Sequence, residues 1–209
     1  MTGKATAIYK NYTYLALGDS YTIGEGVVLQ ENFPYQVVKN LRKSGYQFND
    51  PDIIATTGWT TDELAEGIRR QNLKGSYDIV SLLIGVNDQY RGKSVEDFIK
   101  GFEPLLSTAI QFAAGKNDHV FVLSIPDWGV TPFAEGRDRK KVAEEIDAFN
   151  RACQVECNKK DVLFIDITSE YRINGMKPEY LVPDHLHPSA KEYSQWCLHL
   201  CQAIQQVIN

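Results

Sequence analysis

Short runs of apolar residues alternate along the chain with longer stretches in which apolar positions recur every three or four residues. The first run, Tyr14-Leu15-Ala16-Leu17, closes at Gly18, and the polar, glycine-containing turn behind it leads into a helical stretch over residues 33–43, a first strand-helix unit. Further strands are expected over 52–55, 79–84, 120–125 and 162–167, each with the continuous apolar character of a strand buried on both faces. Helical spacing covers 61–71, 95–114, 139–158 and 189–208. Two of these stretches carry start signals: Thr60 with Glu63, and Ser94 with Asp97, each pair an N-cap side chain with an acid at the third helical position. The last follows Pro188, whose fixed φ suits a first helical turn. This alternation belongs to the α/β class, with a largely parallel sheet of five strands joined by crossover helices.

Composition narrows the picture. The 209 residues contain no internal repeat, low-complexity tract or linker rich in proline and serine, which favours a single domain over 1–209. With 43% hydrophobic residues against 23% charged, there is enough apolar side chain to offset the entropy of ordering the backbone, and global disorder is excluded. Lys+Arg 22 against Asp+Glu 27 leaves a formal charge of -5, so no excess of positive charge is available to neutralise phosphates and nucleic acid is not an expected partner. No apolar run approaches the roughly 20 residues that span a bilayer, and Met1-Thr2-Gly3-Lys4 is not followed by a signal-type segment. A cytoplasmic protein without stable membrane insertion is the expectation. The cysteines fall as two i,i+4 pairs on helical stretches, Cys153/Cys157 and Cys197/Cys201. A four-thiolate metal site competes there with burial as small hydrophobes, and burial is favoured.

In a parallel α/β sheet, ligands bind beyond the carboxyl ends of the strands, so the residues that follow each strand are read together. They are Gly18-Asp19-Ser20, Thr57-Gly58-Trp59 and Gly85-Val86-Asn87-Asp88, with Pro183-Asp184-His185-Leu186-His187-Pro188 ahead of the last helix. A serine hydroxyl becomes a nucleophile when a neighbouring base takes its proton and a third group orients that base. Ser20, His187 and Asp184 fit these roles; His185 is a competing base and Asp166 a competing acid, the latter read as a turn or cap carboxylate. Acyl transfer also needs donors aimed at the developing oxyanion. Gly58 offers an N–H unobstructed by a side chain, and Asn87 a neutral carboxamide donor.

These four blocks, in this order, resemble the SGNH hydrolases, also called the GDSL esterase/lipase family. Leu17-Gly18-Asp19-Ser20 with Gly24 is similar to the family's first block, Gly58 stands where the second has its glycine, Gly85-Val86-Asn87-Asp88 resembles the third, and Asp184-His185-Leu186-His187-Pro188 the last. The resemblance implies a three-layer α/β/α fold of flavodoxin-like type. It implies Ser20 as nucleophile, His187 rather than His185 as base and Asp184 as its orienting carboxylate. The Ser20 and Gly58 N–H groups and Asn87 would form the oxyanion hole. No metal and no organic cofactor is implied. The substrate would be a small-molecule carboxylic ester with a small acyl or acetyl group, or else a lysophospholipid or thioester.

Other positions are read more plainly. Asp19 is expected to hold the turn before Ser20, whereas Glu25 and Asp88, near the same rim, are expected to face solvent. Trp59 and the aromatic-bearing loop over 126–137, with Trp128 and Phe133, could supply an apolar or sugar-stacking wall. His119 and His199 lack partners at metal-ligand spacing. Neither G-x-G-x-x-G nor a P-loop is present, which disfavours a nucleotide binder, and Ser20 does not sit in G-x-S-x-G. A non-catalytic carbohydrate- or ligand-binding protein on the same fold is the alternative from another functional class. Oligomeric state is not readable from these features. A histidine base must be neutral, so activity on a simple ester is expected to fall below about pH 6 to 7.

Overall fold

The computed structural model describes residues 10–73 and 75–208. Its strands are β1 (Asn11–Tyr12), β2 (Tyr14–Gly18), β3 (Gln47–Phe48), β4 (Asp52–Ala55), β5 (Ile79–Leu83), β6 (Val120–Leu123) and β7 (Leu163–Ile165). Its α-helices are α1 (Ser20–Ile23), α2 (Phe33–Lys43), α3 (Thr61–Gln71), α4 (Val86–Tyr90), α5 (Val95–Phe112), α6 (Arg139–Lys159), α7 (Thr168–Asn174) and α8 (Ala190–Ile208). Five strands form one sheet in the order β4-β2-β5-β6-β7, every pair parallel, while β1 and β3 make a separate two-stranded ribbon.

From β2 the chain steps outward to β4, then back across to β5 and onward to β6 and β7. Right-handed crossovers therefore place α2 on one face of the sheet and α3, α5 and α6 on the other. The packing agrees, since α2 lies against α8, and α5 lies between α3 and α6. This is the doubly wound order in which the direction of winding reverses between β2 and β5, leaving a crevice at their carboxyl ends. The face covered by α2 and α8 is filled by aromatics: Trp196 lies 5.2 Å from Tyr193, 6.3 Å from Phe33 and 6.2 Å from Tyr21 between ring centroids. On the opposite face Phe98 stacks on Phe149 at 4.6 Å.

Each expected strand and long helix is present, β4, α2 and α3 with the expected ends and the others with shifted ones. The inner strands β2, β5 and β6 are buried throughout. The expectation of two-sided burial fails for β4 and β7, because they form the sheet's edges; Leu163 is 46% exposed. Pro188 is not in a helical turn either. It pairs with Leu181 in an isolated antiparallel bridge, and Ser189, whose carbonyl accepts from the Tyr193 N–H at 3.0 Å, stands before α8. The cysteine pairs lie buried on α6 and α8, on opposite faces of the sheet, so the four thiols do not converge. Among the described residues, no helix is long and apolar enough to cross a membrane.

Candidate active site

The first block is a strand-to-helix junction. β2 ends at Gly18 because a Cβ there would meet Thr22 Oγ1 at 2.1 Å and the Leu83 carbonyl at 2.4 Å, so only glycine lets α1 approach β5 this closely. Asp19 caps α1: its carboxylate accepts the Tyr21 N–H at 3.0 Å, and its carbonyl accepts from Thr22 and Ile23. Burial pushes its carboxyl up to about 8, against the opposing pull of the Tyr21 N–H. Ser20 therefore occupies the first position of a helix, with its own N–H left over.

The second block is the turn Thr56 to Trp59, closed by the Trp59 N–H to the Thr56 carbonyl at 3.2 Å. Gly58 sits in it at φ +86, left-handed backbone that disfavours any residue with a Cβ. Conformation, rather than an open approach to the N–H, is thus the main reason for glycine here. In the third block α4 follows β5 at once and carries Asn87, whose Nδ2 donates to the Trp59 carbonyl at 3.0 Å while a second N–H remains. Asp88 does not face solvent. It is fully buried, accepting the Thr61 N–H and hydroxyl at 3.0 and 2.8 Å and pairing with Lys93 at 2.9 Å, so it ties α4 to the start of α3.

The last block is a loop held at several points. The Asp184 carboxylate accepts the Leu186 and His187 N–H groups at 2.8 and 2.9 Å, and its other oxygen lies 2.6 Å from His187 Nδ1. Burial raises the Asp184 pKa, but these three donors outweigh it and the net shift is downward. The Tyr171 hydroxyl donates to the Leu186 carbonyl at 2.6 Å, and Val182 donates to the His187 carbonyl at 2.9 Å. The Tyr21 ring lies 5.3 Å from the imidazole. His185 points elsewhere: it is exposed, at φ +61, and its carbonyl accepts from Phe133.

These blocks meet at one cavity of about 190 Å³ lined by Ser20, Gly58, Asn87 and His187, with Asp184 behind the imidazole. Among the described residues, the N–H groups of Ser20 and Gly58 have no acceptor, and no hydrogen bond joins Ser20 Oγ to His187. Catalytic hydrogen bonds of this kind often tighten only when substrate is bound. The far wall is apolar, built by Val86, Tyr90, Trp128, Phe133 and Leu186. Tyr90 and Trp128 meet edge to face at 5.2 Å, and Trp128 meets Phe133 at 6.0 Å. Trp128 is fixed by its indole N–H to Gln89 at 2.8 Å, which in turn donates to Glu145 at 2.7 Å. Thr57 also lines the cavity and donates to Glu25.

A family model described as the GDSL-like lipase/acylhydrolase family matches residues 16–194. The chain belongs to this family. This GDSL-like acylhydrolase is accordingly a carboxylic ester hydrolase. No curated protein matches it in sequence. Its fold is similar to that of TesA, with 17% identity and a TM-score of 0.74 over 94% of this chain and 99% of the other. It is similar to the acetylxylan esterase Axe2 of Geobacillus stearothermophilus, with 17% identity and a TM-score of 0.74 over 95% and 96% of the two chains. A lipase/acylhydrolase from Enterococcus faecalis matches at 19% identity and a TM-score of 0.72, covering 93% of this chain and 96% of that one.

Trp59 is not part of the acylhydrolase's cavity wall. Its ring packs over Gly67 of α3, where a Cβ would come within 2.2 Å of it. Asp166 accepts from the Thr168 and Ser169 N–H groups at 2.9 and 3.1 Å, a carboxylate at the start of α7 and away from His187. His119 is buried against the Asp78 carbonyl, and His199 pairs with Glu170 at the surface. The sequence reading missed Val86, Tyr90 and Arg91. The one signal available was their spacing around Asn87, with Arg91 four residues on and therefore on the same helical face.

Proposed function

We propose that this esterase acts through Ser20 as nucleophile, His187 as general base and then general acid, and Asp184 as the carboxylate that orients His187. The observation that carries the reading is the 2.6 Å contact of Asp184 with His187 Nδ1, beside a cavity that Ser20 also lines. With Nδ1–H committed to Asp184, the other imidazole nitrogen is the one available to accept a proton. Ser20 Oγ forms a bond to the ester carbonyl carbon as its proton passes to His187. The resulting oxyanion accepts hydrogen bonds from the N–H groups of Ser20 and Gly58 and from the second Asn87 N–H. His187 then protonates the departing alcohol, leaving an acyl-Ser20 ester, and water activated by the same imidazole releases the acid. A single oxyanion donor of this sort contributes about 3 kcal/mol to the barrier reduction.

The wall opposite supports a reading of the substrate class. At about 190 Å³ the cavity falls below the roughly 300 Å³ at which sites begin to enclose larger ligands. Among the described residues no aspartate, glutamate, lysine or arginine lines it, and its apolar surface is largely aromatic. A short, neutral acyl group, from acetyl to a few carbons, is the proposed fit. The likeness to an acetylxylan esterase supports it. Hydrolysis of p-nitrophenyl esters from acetate to a long acyl chain tests both halves. Short esters are expected to be preferred, and Ser20→Ala to lower kcat by at least about 10⁴-fold with an unchanged thermal unfolding midpoint. Activity retained in that variant overturns the nucleophile, and a preference for long chains overturns the acyl reading.

A further inference from the structure

The Gly58 turn needs something to hold it. It follows β4, an edge strand, so the sheet supports it on one side only. Its central residue lacks a Cβ and has the widest backbone freedom of any residue. One backbone hydrogen bond closes the turn. A side chain of α4 and one from the residue that caps its C-terminus supply the remaining restraint. Asn87 takes the Trp59 carbonyl at 3.0 Å, and Arg91 Nη2 donates to the Gly58 carbonyl at 2.6 Å. The same Nη2 lies 3.2 Å from Glu63 Oε2, the oxygen that accepts the Thr60 N–H at 2.8 Å. Consecutive residues from Gly58 to Thr60 are thereby fastened to one turn of α4, with Arg91 making the link at Gly58 itself.

We infer that Arg91 is a positioning residue for ester hydrolysis: by gripping the Gly58 carbonyl it fixes the turn whose N–H is presented to the developing oxyanion. The inference rests on the serine-esterase reading above. Donors stabilise an oxyanion only if they are aimed before the charge appears, so a loosened turn costs rate rather than substrate binding. Arginine suits the task because its guanidinium stays charged at all working pH values and can reach a carbonyl and a carboxylate from one edge. Arg91 does not line the cavity, and its side chain is half exposed, so replacing it leaves the wall and the core intact.

The test compares wild type, Arg91→Met and Arg91→Lys on p-nitrophenyl acetate, with inhibition by a boronic acid that forms a tetrahedral adduct on serine. Removing an oxyanion donor outright costs roughly 10² to 10³ in kcat, and loosening one should cost about tenfold. Arg91→Met is expected to lower kcat by about tenfold with KM unchanged and to weaken boronate inhibition similarly. Lysine, which can still reach the carbonyl, should restore most of both, and the acid limb of the pH profile should stay in place. If Arg91→Met does not fold, Glu63→Gln, which weakens the guanidinium's second anchor, takes its place; a fall in kcat with KM unchanged supports the role, and an unchanged kcat overturns it. Unchanged kcat, a rise in KM alone, or a shifted acid limb overturns it. An inactive Ser20→Ala beside an unaffected Arg91→Met would sink this inference alone, whereas an active Ser20→Ala would sink the nucleophile on which it rests.

Discussion

Asp19 stands next to the proposed nucleophile and is 1% exposed, so its ionisation is coupled to folding. Its pKa is pushed up to about 8 in the folded protein, against about 3.9 in an unfolded chain. A raised pKa means that the stabilisation belongs to the protonated form, complete below about pH 4 and lost as pH rises through about 8. Wild type is expected to lose stability between pH 5 and pH 9 that Asp19→Asn does not lose, as read from unfolding midpoints at the two pH values. Its neighbour Gly18 gives a prediction of a different kind. A methyl group there meets the Leu83 carbonyl at 2.4 Å, and backbone cannot step aside as a side chain can. Gly18→Ala should cost about 1–3 kcal/mol in urea unfolding, with loss of activity as α1 is displaced. At this scale the residues that meet at the cavity, Ser20, Gly58, Asn87 and His187 with Asp184 behind it, could be named from the four blocks, although His187 was preferred to His185 only through the family resemblance. Asp88 was misread because its burial is decided by Thr61, which lies 27 positions away in sequence. Arg91 drew no attention because the group it holds in the Gly58 turn is a backbone carbonyl, and a carbonyl carries no residue identity.

Between β6 and α6 the chain makes two short 3-10 turns, Trp128–Val130 and Pro132–Ala134, which bring Trp128 and Phe133 to the cavity. Trp128 is anchored through Gln89, whereas Phe133 is 43% exposed. Phe133→Ala should therefore open the wall with little loss of stability and raise kcat/KM for longer acyl chains relative to acetate, by about 3- to 10-fold on the p-nitrophenyl ester series. The long helices were readable from the period of their apolar positions and the five strands of the main sheet from their apolar runs, whereas β1 and β3, of two residues each, were not foreseen. Nor were the helices α1, α4 and α7, since four to seven residues complete only one or two turns and leave no repeat to detect. Exposure at the sheet edges was hidden for a related reason. Leu163-Phe164-Ile165 reads like any apolar strand, and only the order of strands shows that β7 has a neighbour on one side.

The whole molecule adds what no segment contains, the order β4-β2-β5-β6-β7. Reversal of winding between β2 and β5 parts the connections above them, so Ser20 and Asn87 emerge on either side of an opening that the sheet itself makes. The alternation of strands and helices predicted a parallel sheet, but adjacency depends on crossover handedness and on which helices pack together. One such contact, α8 against α2, joins the late part of the chain to the early part. It also sets a clock. The strand before Ser20 is made well before the His187 loop, which leads directly into α8. Closing so long a loop is among the slower events of folding. Recovery of esterase activity during refolding should then lag behind the return of helical signal, making turnover a reporter of the moment at which the two ends of the fold come together.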